Sequence, residues 1–278
     1  MPNQLPILNN QDSSLLLVGA GKMGGAMLKG WLEQGLDPNQ INIQDPSPSQ
    51  DIIDFLAKYD CTVNKNPQEN KPIDVIVLAI KPQQIDDSLF ALRDIAKNSL
   101  ILSVIAGCKT ERLQEIFDTT TPIVRAMPNT PASIGCGITA LFANRHVNPK
   151  HKEDVQNLMS AVGKTLWLEK EADMDAVTAI SGSGPAYVFL LAEALAKAGE
   201  TAGLQPELAQ ELAKATLCGS GALMEHSGMS PETLRKNVTS PGGTTQAALN
   251  VLMQEKTGLQ NLLTQAVMAA KQRSQELS

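Results

Sequence analysis

Gly19, Gly21 and Gly24 stand at G-x-G-x-x-G spacing directly behind the apolar run Leu15 to Val18. A strand, a glycine turn and a helix in succession make a seat for a pyrophosphate. Gly19 permits the tight turn, Gly21 lets phosphates approach the backbone, and Gly24 lets the helix pack close to the strand. The free N–H groups at the helix start then face the anion. The spacing alone is shared with ordinary glycine-rich turns. The strand before it and the helix after it, Gly25 to Gln34 ending at Gly35, favour a bound dinucleotide. Asp45 follows a second strand, Ile41 to Gln44, at about the offset where a carboxylate bonds the ribose hydroxyls of NAD. Its plainer reading is a turn cap formed with Pro46.

A second group with chemical potential lies far along the chain. Thr239 to Thr245 joins a short helix to a longer one, so its last residues fall at a helix N-terminus. The amides of Gly243, Thr244 and Thr245 could hold a carboxylate there, with hydroxyls adding bonds. An N-cap turn with nothing bound is the alternative. The usual acid–base apparatus is not visible. His146, His151 and His226 lie in polar stretches without metal-ligand spacing, and no S-x-x-x-K pair or G-x-S-x-G elbow stands out. No metal site is expected.

The elements that must carry these residues alternate. Asp51 to Lys58 reads as a helix and Cys61 to Val63 as a short third strand. Asp74 to Ile80 and Leu100 to Val104 are continuous apolar runs, the mark of strands buried on both faces of a parallel sheet. Gln84 to Lys97 reads as the helix between them, Thr110 caps another, and Pro122 to Ala126 is a further strand. This pattern predicts a doubly wound α/β domain over residues 13–171, with ligands beyond the carboxyl ends of its strands. Residues 1–12 read as a loose tail. From 172 to 278 strand-like runs vanish and small residues and leucine dominate, which predicts an all-helical domain. One long helix is expected over Asp175 to Ala202, with others starting at Pro206, Pro231, Thr244 and Leu259. Closely packing helices of this kind often bury their apolar faces against a second copy. A homodimer is therefore expected, with a self-contained bundle as the alternative.

Composition bounds the rest. The formal net charge of −6 argues against a nucleic-acid partner. Cys61, Cys108, Cys136 and Cys218 are scattered, as reduced thiols of a cytoplasmic protein would be. No apolar run reads as long enough to span a membrane, and the first dozen residues lack the basic start and apolar stretch of a signal peptide.

Five segments together resemble the pyrroline-5-carboxylate reductase family: Gly19 to Gly24, Leu78 to Pro82, Arg125 to Pro131, Ala179 to Tyr187 and Val238 to Thr245. The first is common to many dehydrogenases, and the last two are far more specific. The resemblance implies a Rossmann domain followed by a helical dimerisation domain whose helices interleave between subunits, with larger rings of dimers frequent. It also implies reduction of the C=N bond of 1-pyrroline-5-carboxylate to L-proline by NAD(P)H, the last step of proline biosynthesis.

Carried over residue by residue, the resemblance gives Gly19, Ala20, Gly21, Lys22, Met23 and Gly24 to the pyrophosphate. Ala79, Lys81 and Pro82 line the cofactor, Met127 to Asn129 flank the nicotinamide, and Asn66 falls near the adenosine ribose. Ser240 and the amides of Gly243 to Thr245 hold the substrate carboxylate, and the Thr245 hydroxyl approaches the ring nitrogen. Many members carry Ser, Thr, Asn or Arg after the second strand, whereas this chain has Asp45. A carboxylate there repels a 2′-phosphate, so NADH is expected over NADPH. Two other functions stay open. A β-hydroxyacid-type dehydrogenase shares the turn but needs a lysine early in its interdomain helix, and Asp175 to Tyr187 has none. A non-catalytic dinucleotide-binding regulator would have no use for the cradle at Ser240 to Thr245.

Overall fold

The computed structural model describes residues 13–64 and 72–277. Its first structural fact is a seven-stranded sheet of order β2-β1-β3-β4-β5-β6-β7. The strands are β1 (Leu15–Val18), β2 (Ile41–Gln44), β3 (Val75–Leu78), β4 (Leu100–Ser103), β5 (Ile123–Met127), β6 (Gly137–Ala143) and β7 (Gly163–Trp167). The first five run parallel, with Leu15 opposite both Ile41 and Val75, and Val18 opposite both Gln44 and Leu78.

The apolar runs are buried on both faces because helices cover both. On one face Leu15, Leu17, Val75 and Val77 pack with Met27, Leu28 and Trp31 of α1 (Lys22–Glu33) and with Leu158 of α5 (Pro149–Ser160). The buried Trp31 indole donates to the Leu158 carbonyl at 2.8 Å, satisfying its one polar atom. On the other face Leu16, Ile76, Leu78 and Ile101 pack with Leu89 of α3 (Ile85–Leu89) and with Leu113 and Ile116 of α4 (Thr110–Ile116). The remaining helix of this sheet, α2 (Gln50–Ala57), buries Ile52 and Leu56.

Two expectations change here. Cys61 to Val63 forms no strand. It lies between Asp60 and Asn64, both left-handed (φ 53° and 60°), too short a run to build a ladder, and what pairs with β2 is the Asn64 N–H, bonded to the Ile43 carbonyl at 2.7 Å. The helix expected over Gln84 to Lys97 is instead α3 flanked by 3-10 turns at Pro82–Gln84, Phe90–Leu92 and Ile95–Asn98. Leu89, Leu92 and Ala96 anchor this stretch while Phe90 and Ile95 face solvent. Asn66, proposed near the ribose, lies outside the described residues.

β6 runs antiparallel to β5, its return made by a 3-10 turn at Thr130–Ile134 and a left-handed Gly135 (φ 70°), and β7 is parallel to β6. The segment expected as one helix over Asp175 to Ala202 is three pieces: α6 (Met174–Val177), a π-helical turn at Thr178–Gly182, and α7 (Gly184–Thr201). Thr178 Oγ1 donates to the Met174 carbonyl and Ser181 Oγ to the Val177 carbonyl, bonds that compete with the regular ladder.

Two units result. One runs to Gly182 and takes in the chain end from Lys271, and the other is Ser183–Ala270. The second consists of α7, α8 (Pro206–Ser227), α9 (Pro231–Asn237), α10 (Thr244–Leu252) and most of α11 (Leu259–Glu276). Its apolar side chains are nearly all outside. Among its described residues only Ala196, Ala209 and Ala213 are buried apolar side chains, while Phe189 is 61% and Leu190 63% exposed. The expectation that no run could span a membrane also changes. By length and composition Glu171–Thr201 is apolar enough, and 11% of the qualifying window is buried. Within this stretch α7 packs on α8, a Cβ on Gly199 lying 3.2 Å from the Ala209 side chain, while Phe189 and Leu190 leave an apolar face that another protein surface would cover.

Candidate functional site

In the order β2-β1-β3 the connections leave β1 in opposite directions, so the carboxyl ends of β1 and β3 form the switch point where dinucleotides bind in open α/β sheets. The glycine turn leaves β1 there. Gly19 is left-handed (φ 93°), and a Cβ on it would lie 2.7 Å from the Ala79 carbonyl oxygen. A Cβ on Gly24 would lie 2.0 Å from the Gly19 carbonyl oxygen. These two glycines are therefore required by packing. Gly21 differs: it caps α1 with an extended backbone, and nothing lies within 4 Å of a Cβ placed on it. Packing does not explain that glycine, and open space in front of it suits a phosphate. The first turn of α1 has neither a side-chain cap nor an acidic residue, leaving its amides available to an anion.

Ala20 is buried, Met23 half-buried and Lys22 exposed. The Ala20 N–H is already used, donating to Asp45 Oδ2 at 2.7 Å. The other carboxylate oxygen, Oδ1, accepts from the Ser47 N–H at 2.8 Å. Asp45 thus ties the end of β2 to the glycine turn and caps its own turn as well. Beside it is a cavity of about 410 Å³ lined by Gly21, Lys22, Lys29, Ser47, Ser49 and Asp51. At the end of β3, Ala79 is half-buried and Lys81 and Pro82 are exposed, with the Lys81 N–H held by the Gln84 side chain at 3.2 Å.

The carboxyl end of β5 brings Met127 to the same edge of the sheet. Met127 is half-buried, whereas Asn129 is buried, its Oδ1 accepting from the Ile138 N–H at 2.9 Å to brace the β5–β6 return. A Cβ on Gly182 would lie 2.7 Å from Met127 Cε, so the π-helical turn packs directly on that side chain. Composition is unusual at Ser181 to Pro185, overlapping only the end of this turn, and helical periodicity carries no sign of the register change. Sequence reasoning also missed the role of Arg125. It is buried in β5, and its Nη1 lies 3.3 Å from Glu171 Oε1. Glu171 in turn accepts from the Thr110 N–H at 2.8 Å and from Thr110 Oγ1 at 2.7 Å, capping α4.

Ser240, Gly243, Thr244 and Thr245 lie in the second unit. Gly242 is left-handed (φ 71°) and Gly243 is the N-cap of α10, without a side-chain cap. A Cβ on Gly243 would meet Ser240 Oγ at 2.5 Å, so the glycine is what lets that hydroxyl fold over the helix start. Ser240 and Thr244 are exposed and Thr245 half-buried. The turn therefore presents a hydroxyl beside uncapped amides, a combination that recognises a carboxylate.

Sequence comparison gives two family matches, pyrroline-5-carboxylate reductase dimerisation over residues 171–277 and NADP oxidoreductase, coenzyme F420-dependent, over residues 14–107. The pyrroline-5-carboxylate reductase of Pseudomonas aeruginosa is 40% identical over 265 residues, 95% of this chain and 96% of that protein. This chain belongs to the pyrroline-5-carboxylate reductase family. The likeness extends to solved structures of the reductases. That of Coxiella burnetii has a TM-score of 0.88 at 38% identity, covering 96% of this chain and 99% of that one. That of Plasmodium falciparum, solved with NADP bound, has a TM-score of 0.80 at 30% identity, covering 95% and 98%. The reductase likeness thus takes in both the glycine turn and the Ser240–Thr245 cradle. Among the described residues no group of His, Cys, Asp and Glu could hold a metal ion.

Proposed function

We propose that this chain reduces the C=N bond of 1-pyrroline-5-carboxylate to L-proline with a nicotinamide cofactor. The observation that carries the reading is the span of the likeness, 95% of this chain at 40% identity to a reductase of that name. When bound, the reduced cofactor supplies a hydride. Gly19, Gly21 and Gly24, the α1 amides, Lys22 and Met23 hold its pyrophosphate, Ala79, Lys81 and Pro82 line it, and Met127 flanks the nicotinamide with Asn129 bracing the turn behind. Ser240 and the amides of Gly243 to Thr245 hold the substrate carboxylate, and the Thr245 hydroxyl orients the ring nitrogen.

A protonated imine accepts hydride readily because its positive charge is neutralised as the C–H bond forms. Orientation then provides most of the rate, which fits a site without a catalytic histidine. A threonine hydroxyl is a poor acid near neutral pH, so Thr245 acts as orienter and hydrogen-bond partner.

Asp45 supports NADH as the preferred cofactor, because each carboxylate oxygen keeps a lone pair for a ribose hydroxyl beyond its backbone bond. A second reading, NADPH, is favoured by Lys22, Lys29, Ser47 and Ser49 around the neighbouring cavity. The reading extends to a homodimer through the exposed apolar helices, assembling further into a ring of dimers, with no nucleic-acid or membrane partner. The cytoplasm is the compartment that keeps the thiols of Cys61, Cys108, Cys136 and Cys218 reduced.

The test is cofactor oxidation followed with pyrroline-5-carboxylate, comparing kcat/KM for NADH and NADPH. No turnover with either cofactor overturns the activity, and a strong NADPH preference overturns the Asp45 reading alone.

A further inference from the structure

Asn64 adopts a left-handed backbone (φ 60°), which asparagine tolerates better than other non-glycine residues. Its side-chain amide pairs with one peptide at two points. Oδ1 accepts from the Asp45 N–H at 2.9 Å, and Nδ2 donates to the Asp45 carbonyl at 2.7 Å. Its own N–H donates to the Ile43 carbonyl at 2.7 Å. β2 is the edge strand of the sheet, so beyond Gln44 its backbone has no neighbouring strand on the outer side. Asn64 stands in for that strand at one residue, and the residue is Asp45.

We infer that Asn64 is a positioning residue for the nicotinamide dinucleotide, fixing the register of Asp45 so that its carboxylate spans the glycine turn and the ribose. The chain of bonds is continuous: the Asn64 amide grips the Asp45 peptide, and the Asp45 carboxylate grips the Ala20 N–H inside the turn. Without the amide, Asp45 can rotate about its backbone and its oxygens lose their aim. Ala20 then loses its acceptor, and the turn loses a tie to β2. The inference rests on the proposed role of Asp45 in choosing the cofactor and adds the residue that holds it in place.

Asn64→Gly separates the amide from the backbone, because glycine keeps the left-handed conformation without steric strain. The expected result is a rise of about tenfold in KM for NADH, the order expected for the loss of two hydrogen bonds. At saturating cofactor, kcat and the KM for pyrroline-5-carboxylate stay near wild type, and the NADH-to-NADPH ratio of kcat/KM falls. Asn64→Asp, which retains the acceptor and loses the donor, falls between the two. In an Asp45→Ala background, Asn64→Gly has no further effect on KM for NADH. An unchanged KM for NADH in Asn64→Gly, or losses that multiply in the double variant, overturn the inference. A loss of kcat at saturating cofactor with KM for NADH unchanged does so too, since it marks a merely structural role. If Asp45→Ala alone leaves the cofactor ratio unchanged, the reading of Asp45 fails independently of Asn64.

Discussion

Gly19 and Ala79 approach so closely that one methyl group on the glycine would sit 2.7 Å from the alanine carbonyl oxygen. Two strand ends meet there, and the contact fixes where the glycine turn can go. Gly19→Ala adds a clash to a backbone at φ 93°, and is expected to destabilise the protein by about 2–4 kcal/mol. Gly21→Ala meets nothing within 4 Å, so its folding stability stays near wild type while KM for the cofactor rises. Denaturant titration of both variants, with kinetics on the second, checks the contrast.

Thr245→Ala is expected to lower kcat about tenfold or more with cofactor binding retained, since one orienting hydrogen bond is lost and the glycine turn is untouched. Ser240→Ala is expected to act mainly on KM for the imine. Steady-state kinetics with each substrate varied in turn separates the two, and unchanged kinetics in Thr245→Ala refutes its role.

Phe189 and Leu190, both more than 60% exposed, belong to a unit whose buried apolar side chains are alanines. A glutamate at Phe189 introduces a charge into the surface that a second copy would bury. Phe189→Glu is expected to shift the protein to monomers in light scattering after size-exclusion chromatography, with activity lost in proportion.

His151 is held below its ordinary pKa of 6.5, chiefly by burial, with Lys150 also lowering it and Asp154 opposing. Its Nδ1 accepts from the Asn148 N–H at 3.4 Å, a bond that needs the nitrogen unprotonated. The unfolded chain therefore takes up the proton first. The contribution of His151 is full above pH 6.5 and is lost as pH falls through the lower folded pKa. An NMR titration is expected to place its midpoint below 6.5, and Asn148→Ala to cost about 1 kcal/mol through the lost cap of α5.

The sheet was legible wherever burial on both faces forced an unbroken apolar run, as in Val75–Leu78 and Leu100–Ser103. The glycine turn was legible because steric demand at Gly19 and Gly24 leaves one residue type. What escaped was set by single side chains acting at a distance. The Asn64 amide, 19 residues from Asp45, replaces a strand that pattern alone supplied at Cys61 to Val63. The π-helical turn at Thr178–Gly182 differs from an α-helix by one inserted register, which no periodicity over so few residues reveals. Glu171, 61 residues from the helix it caps, carries in sequence no sign of that role.

The first unit is closed by the last residues of the chain. Ser274 Oγ donates to the buried Asp175 carboxylate at 2.7 Å, and a Cβ on Gly107 would lie 2.5 Å from the Leu277 carbonyl oxygen. On the ribosome, therefore, the sheet can assemble early but lacks its closing helical segment from Lys271 onward until the second unit has been made. Every nascent chain must hold its nucleotide-binding half unfinished while the entire helical half emerges. A truncation ahead of Ser274 removes that closing piece and acts on the half of the protein made first.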